Sequence, residues 1–247
     1  LEINTSCGQT QLTAGPIIIL KKPEVDFEVD AIACVNTTVL FDNTTVDGYN
    51  QNCNTDAVYN WDFGDGTTST LEDPSHVYTS PGTYTISMYA QNFCGTTNTV
   101  TKTICIEPPL QPTFNLTNDN GCSPFVVSPA NTTDLSQSCD APTYNWTVNY
   151  IATTCGSESY TFINGTDETS ANPQISFNSA GEYELILEAT NSCGTEISTV
   201  QTIIVKDPPV VTLSSIDDAC GASTFSPTAT VNTCTPTSES IPYRSSS

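Results

Sequence analysis

Tyr59-Asn60-Trp61-Asp62-Phe63-Gly64-Asp65-Gly66 is the stretch that decides the fold. Tyr59, Trp61 and Phe63 share one parity and Asn60 and Asp62 the other, which is the alternation of a strand with one buried face. The run ends in Asp-Gly, a turn signal in which glycine supplies the positive φ. Trp61 therefore reads as a core plug. Tyr144-Asn145-Trp146 is a weaker copy, so the stretch belongs to a repeat.

The cysteines follow the same repeat. Cys7, Cys94 and Cys193 each precede a glycine and an apolar β-run that ends at proline: Ile17 to Pro23, Val100 to Pro109 and Val200 to Pro209. A second set is Cys34, Cys122 and Cys220, and a third is Cys53, Cys139 and Cys234. The division that results is 1–23 as the last hairpin of a preceding repeat, 24–109 and 110–209 as complete units, and 210–247 as the start of a further one. From tryptophan to the later Gly-x-Tyr is 21 residues in the first unit and 35 in the second, which places a 14-residue insertion after Trp146. Cys155 falls in that insertion. Cys105 stands on the last strand of the first unit, where Leu20 and Val205 are taken as its counterparts. Glu107-Pro108-Pro109 and Asp207-Pro208-Pro209 read as stiff linkers, because proline fixes φ and removes a donor.

The composition is that of an all-β chain, with abundant Thr, Asn, Ser and Val and no sustained helical period. In the first unit strands are expected near 24–29, 39–43, 58–63, 76–78, 83–90 and 100–106. The run from Thr83 to Ala90 alternates most clearly, and Tyr183, Leu185, Leu187 and Ala189 repeat it in the second unit with Glu182, Glu184 and Glu188 facing out. Short strands with turns every 8 to 12 residues or so point to immunoglobulin-like sandwiches in tandem.

Five basic residues against twenty-seven acidic ones give a net charge of −22. Binding to nucleic acid or to an anionic membrane surface needs clustered Lys and Arg, so both are excluded as partners. No run approaches a membrane-spanning length, and membrane insertion is not expected. The first residue is not Met and no basic segment leads into an apolar one, so the chain reads as an internal piece of a longer protein. Eleven cysteines without a C-x-x-C point to disulfides in an oxidising compartment.

The first unit resembles the PKD-domain family. The residues that carry the likeness are Tyr59 to Gly66, Pro74-Ser75-His76-Val77-Tyr78 and Pro81-Gly82-Thr83-Tyr84. The second keeps Tyr144-Asn145-Trp146 and Ala180-Gly181-Glu182-Tyr183 but has Thr147-Val148-Asn149-Tyr150 in place of Asp-Phe-Gly-Asp-Gly, and is similar to a degenerate relative. Tandem acidic units with Gly121-Cys122-Ser123-Pro124 are similar to those of giant surface adhesins of gliding Bacteroidetes. In such a sandwich the loop ends bring Cys53 to Cys94, Cys139 to Cys193, Cys34 to Cys105 and Cys122 to Cys155. Cys7, Cys220 and Cys234 are left without an assigned partner. Cys105 has a second reading, a thiol packed as a small hydrophobe.

No catalytic set is recognised. His76 is alone, with no nucleophile at motif spacing, and the resemblance puts it on a structural strand. No cofactor is expected. Calcium on Asp62, Asp65, Glu72 and Asp73 is the weaker alternative to a plain turn, since no calcium-loop motif is present. Tyr150, Tyr160 and Phe162 in the insertion are the candidate ligand contacts, or else cover the insertion's own small core. The resulting expectation is a non-catalytic, extracellular cell-surface segment of an adhesin stalk, with gliding motility as its setting. Its partners would be neighbouring repeats and extracellular polysaccharide or a surface protein. The alternative is a spacer or carbohydrate-binding accessory module of a secreted hydrolase.

Overall fold

The computed structural model describes residues 2–11, 22–46, 57–92, 95–151, 156–213 and 229–232. These residues form strands and no helix, in two units that divide between Pro108 and Pro109. Cys53, Cys94, Cys155, Cys220 and Cys234 lie outside the described residues.

The first unit begins with a hairpin of β1 (Glu2–Thr5) and β2 (Gly8–Gln11) whose turn carries an exposed Cys7. The strands that follow are β3 (Phe27–Glu28), β4 (Ile32–Cys34), β5 (Thr38–Leu40), β6 (Asp42–Asn43), β7 (Val58–Asp62), β8 (Thr68–Ser69), β9 (Ser75–Val77), β10 (Gly82–Asn92), β11 (Gly95–Thr96) and β12 (Val100–Glu107). One sheet has the order β4-β12-β10-β7-β8, with β11 also paired to β10. The pairs β3-β6 and β5-β9 lie outside this sheet.

Alternation decides what each strand buries. Ile86, Met88 and Ala90 of β10 are fully buried while Thr83, Thr85 and Gln91 are exposed. Phe27, Val39, Phe41, Trp61, Phe63, Tyr78, Ile104 and Ile106 complete the core. Each large apolar side chain removed from water contributes roughly 1.5–3 kcal/mol. Strand β4 departs from the expectation. It pairs parallel to β12, with Ile32 opposite Cys105 and Cys34 opposite Glu107. Three residues, all half-buried, leave too short a pattern to read in sequence.

The second unit is built from β13 (Phe114–Asn115), β14 (Asn120–Cys122), β15 (Phe125–Val127), β16 (Ala130–Asn131), β17 (Thr143–Ile151), β18 (Tyr160–Phe162), β19 (Ile175–Phe177), β20 (Gly181–Asn191), β21 (Gly194–Ile197) and β22 (Gln201–Lys206). Strands β23 (Val210–Leu213) and β24 (Ala229–Asn232) pair with one another beyond it. The main sheet is β14-β22-β20-β17, with β21 also on β20, and outside it lie the three-stranded β15-β19-β18 and the pair β13-β16. The core holds Phe114, Val127, Trp146, Val148, Ile175, Phe177, Tyr183, Leu185, Leu187, Ile203 and Val205.

Register aligns the two units. Gly82 faces Ile106 as Gly181 faces Val205. Ile204, not Val205, is therefore the counterpart of Cys105, and Cys105 lies on the face opposite the buried Ile104 and Ile106. In both units the tyrosine at the start of the long strand donates its hydroxyl to the carbonyl four residues upstream, Tyr84 to Ser80 at 2.9 Å and Tyr183 to Ser179 at 3.0 Å. This is the corner seen in immunoglobulin-like sandwiches. Ile86 and Leu185, two residues further on, are fully buried where true immunoglobulin domains place a core cysteine.

The turn after Trp61 tests this geometry. Gly64 has φ +82° and a Cβ there would stand 2.5 Å from the Thr85 carbonyl oxygen, whereas Gly66 has φ +92° and open space. Gly64→Ala is expected to cost about 3 kcal/mol, from φ strain plus a backbone clash, and Gly66→Ala about 1 kcal/mol, from strain alone. Urea unfolding followed through Trp61 fluorescence in a Trp146→Phe background reads both. Equal losses would remove the clash from the account.

Candidate functional site

Trp61 sits 2% exposed with Phe27 packed edge-on at 5.1 Å and Phe41 at 5.8 Å. Its indole N–H donates to the Leu71 carbonyl at 2.9 Å, so the turn residues must fold back over the ring. The turn between holds the acidic residues of the motif. The Asp62 carboxylate accepts from the Gly64 N–H at 2.9 Å. Asp65 accepts from the N–H and hydroxyl of Thr67 at 3.0 and 2.6 Å, and its other oxygen lies 2.7 Å from His76 Nε2. Asp73 accepts from the Asn43 N–H at 3.0 Å. Three of the four carboxylates considered for calcium are thus engaged with the turn, a neighbouring strand or the histidine.

His76 is held by rings as well as by Asp65. Phe63 stacks on it at 4.5 Å and 6°, and Tyr78 meets it edge-on at 4.6 Å. The Tyr78 hydroxyl donates to the Phe63 carbonyl at 3.0 Å, and burial pushes its pKa well up. Burial also works to raise the Asp65 pKa, but hydrogen bonds from Thr67 and His76 outweigh it and hold the carboxyl below its ordinary value. The cluster ties turn to strand. Among the described residues no group of three or more His, Cys, Asp or Glu is placed to hold a metal ion.

The insertion residues of the second unit pack on its core. Tyr150 meets Tyr183 at 5.2 Å and 61° and lies against Gly181, where a Cβ would overlap its ring. Tyr160 packs near Phe162 and Phe177, at 6.2 and 6.3 Å, and all three candidate contacts are partly buried. Tyr160 and Phe162 also line a cleft of about 500 Å³ with Trp146, Thr147, Val148 and Glu168. Tyr150 does not line it. The sequence marks Thr147 only as part of the stretch that replaces the motif, and leaves Glu168 unmarked because it belongs to no motif. The 24-residue reach from the Trp146 indole N–H to its acceptor at Ser170 is what brings Glu168 there.

Four of the described cysteines are disulfide-bonded, Cys34 and Cys105 in the first unit and Cys139 and Cys193 in the second. Cys34 and Cys105 stand on the same face of adjacent strands rather than on converging loops. Cys139 lies between β16 and β17, and Cys193 in the turn between β20 and β21. Cys122, expected to bridge Cys155, is exposed and carries no disulfide. Ile204 occupies the place of Cys105, so the parallel strand pair that carries two cysteines in the first unit carries one here.

A family model described as PKD domain matches residues 20–107. A microbial collagenase of Vibrio alginolyticus is 48% identical over 46 residues, which are 19% of this chain and 6% of the collagenase. The collagenase ColA of Bacillus cereus is 51% identical over 37 residues, 15% of this chain and 4% of its own length. The crystal structure of the PKD1 domain of Vibrio anguillarum Epp is 32% identical and matches 36% of this chain and 98% of that domain, with a TM-score of 0.31. The chain spans a small fraction of the length of the two collagenases.

The Asp65 pKa fixes the sign of an acid response. Because it is lowered on folding, the carboxylate contributes its full stabilisation above the unfolded value of about 4 and loses it as pH falls through the lower folded value. Asp65→Asn is expected to flatten the acid limb of the Trp61 unfolding profile and to leave the slope around pH 8 unchanged. An acid limb as steep as that of the unsubstituted chain would show that Asp65 is not a source of it.

Proposed function

The chain belongs to the PKD-domain family through residues 20–107, and from that premise we propose that it is a non-catalytic accessory segment of a secreted bacterial protein, with a spacer role beside a hydrolase domain. The observation that carries this reading is the likeness of short stretches of the chain to 4–6% of two bacterial collagenases. In such enzymes a segment of this size is a small attachment to a much longer chain. The Asp65-His76 cluster fits the role, since its groups are spent on holding a turn.

Disulfides support an extracellular setting, where oxidised pairs persist. The pairing that goes with this reading is Cys34 with Cys105 and Cys139 with Cys193. Cys53 with Cys94 is kept from the loop topology. A bridge that closes a loop of this size stabilises by about 4 kcal/mol on the chain-entropy model, so full reduction should bring a two-unit fragment close to unfolding.

Two measurements test the reading. The complete coding sequence should contain a hydrolase domain; a long array of further repeats with none would favour the adhesin stalk instead. Peptide mapping without reductant should link Cys34 to Cys105 and Cys139 to Cys193, and a Cys34–Cys53 link would overturn the pairing.

A further inference from the structure

The second unit differs from the first in how the chain returns past the edge at its tryptophan strand. In the first unit the chain turns after β7 and returns as β8, which pairs Ser69 with Trp61 and Thr68 with Asp62 and closes the outer edge of the sheet. In the second, Thr147-Val148-Asn149-Tyr150 replaces the turn and β17 runs on to Ile151. The chain then crosses to the other sheet as β18, paired only with β19. Strands β17 and β18 each end a sheet, and the cleft of about 500 Å³ opens between them.

The cleft is firmly built. Trp146 donates its backbone N–H to the Glu168 carbonyl at 2.7 Å and its indole N–H to the Ser170 carbonyl at 2.9 Å. Asp167 spends its carboxylate on the N–H and hydroxyl of Thr169 and the hydroxyl of Ser170. Glu168 is thereby fixed at its backbone on the rim of the cleft, and its exposed carboxylate accepts no hydrogen bond and meets no cation among the described residues. Tyr160 and Phe162 stand beside it with their rings at 82° to each other.

Charge selects among ligands for this combination. In the first unit Asp26 and Glu28 share Lys102, at 3.4 and 3.1 Å. Lys206 is the only basic side chain among the described residues of the second unit, where Glu158, Asp167, Glu168, Glu182, Glu184 and Glu188 are all acidic. A cleft in a field of one sign concentrates the opposite charge. A cation can also lie over an aromatic face while its aliphatic stem covers apolar surface, and a guanidinium can take a carboxylate through two N–H groups. A neutral sugar would use the rings and draw nothing from the field.

We propose that the cleft between β17 and β18 is a docking site for an arginine or lysine side chain of a partner protein, with the charge on Glu168 and the stem against Tyr160 and Phe162. The site goes beyond the spacer role, and its loss would leave that role intact.

Titration of the whole chain with a short extended Arg-Thr peptide, followed by calorimetry and by the aromatic NMR signals of Tyr160 and Phe162, tests it. Glu168 is exposed, so Glu168→Gln should fold normally and weaken binding at least about tenfold, while Glu196→Gln on β21 should change it less than about twofold. Raising salt from about 50 to about 500 mM should weaken binding strongly. Equal losses in the two variants would reduce the effect to net charge and overturn the site. So would absence of peptide binding, or displacement of the peptide by a neutral oligosaccharide whose own binding ignores salt.

Discussion

A buried indole has to place its N–H. Trp61 and Trp146 are 2% and 3% exposed, and each satisfies the group with a carbonyl from the chain that follows. Leaving such a donor unpaired in a core costs about 1–3 kcal/mol, so whatever comes after the tryptophan strand must come back over the ring. In the first unit it returns in 10 residues through the Asp-Gly turn and β8, and in the second it takes 24 through β18 on the other sheet. The fourteen extra residues are the insertion that the spacing of the glycine-tyrosine pairs exposes. One requirement, met by two routes, accounts for the largest difference between the units.

Once the route changes, the polar cluster that depends on it goes as well. Val39 faces His76 across β5 and β9, and Val127 faces Ile175 across β15 and β19. Ile175 therefore stands where His76 stands, and Phe177 where Tyr78 stands, both fully buried. His76 is tolerated at its position because Asp65 is there to accept from it and Phe63 to stack on it. Without the turn there is no aspartate, and an ionisable ring at that place would bury an unpaired polar group. Turn and histidine are thus lost together.

Strands with a long alternating run were legible in the sequence. The face of β10 that carries Ile86, Met88 and Ala90, and the face of β20 that carries Tyr183, Leu185 and Leu187, follow from parity alone. What parity cannot supply is pairing across the sheet. Strand β4 has three half-buried residues, and its parallel partner is some seventy residues away, so its pairing with β12 could not be read, although loop topology alone sets Cys34 near Cys105. The same limit put Cys105 in register with Val205, when the ladder sets it against Ile204 and turns it away from the core. The sequence groups the insertion aromatics together, but only the chain's return path separates Tyr150, against Tyr183, from Tyr160 and Phe162 at the cleft.

The two units also differ in how their sheet edges are paired. In the first unit β8 covers β7, and the carboxylates of Asp62 and Asp65 are hydrogen-bonded inside the turn. Pairing of an edge strand removes the exposed backbone that would otherwise invite contact. The second unit keeps of that cover the bond from the Trp146 N–H to the Glu168 carbonyl, and beside it lies a cleft lined by Tyr160, Phe162 and the Glu168 side chain, which no described residue neutralises. Divergence from the family pattern and the cleft therefore have the same structural cause, the longer return from Trp146 to Ser170.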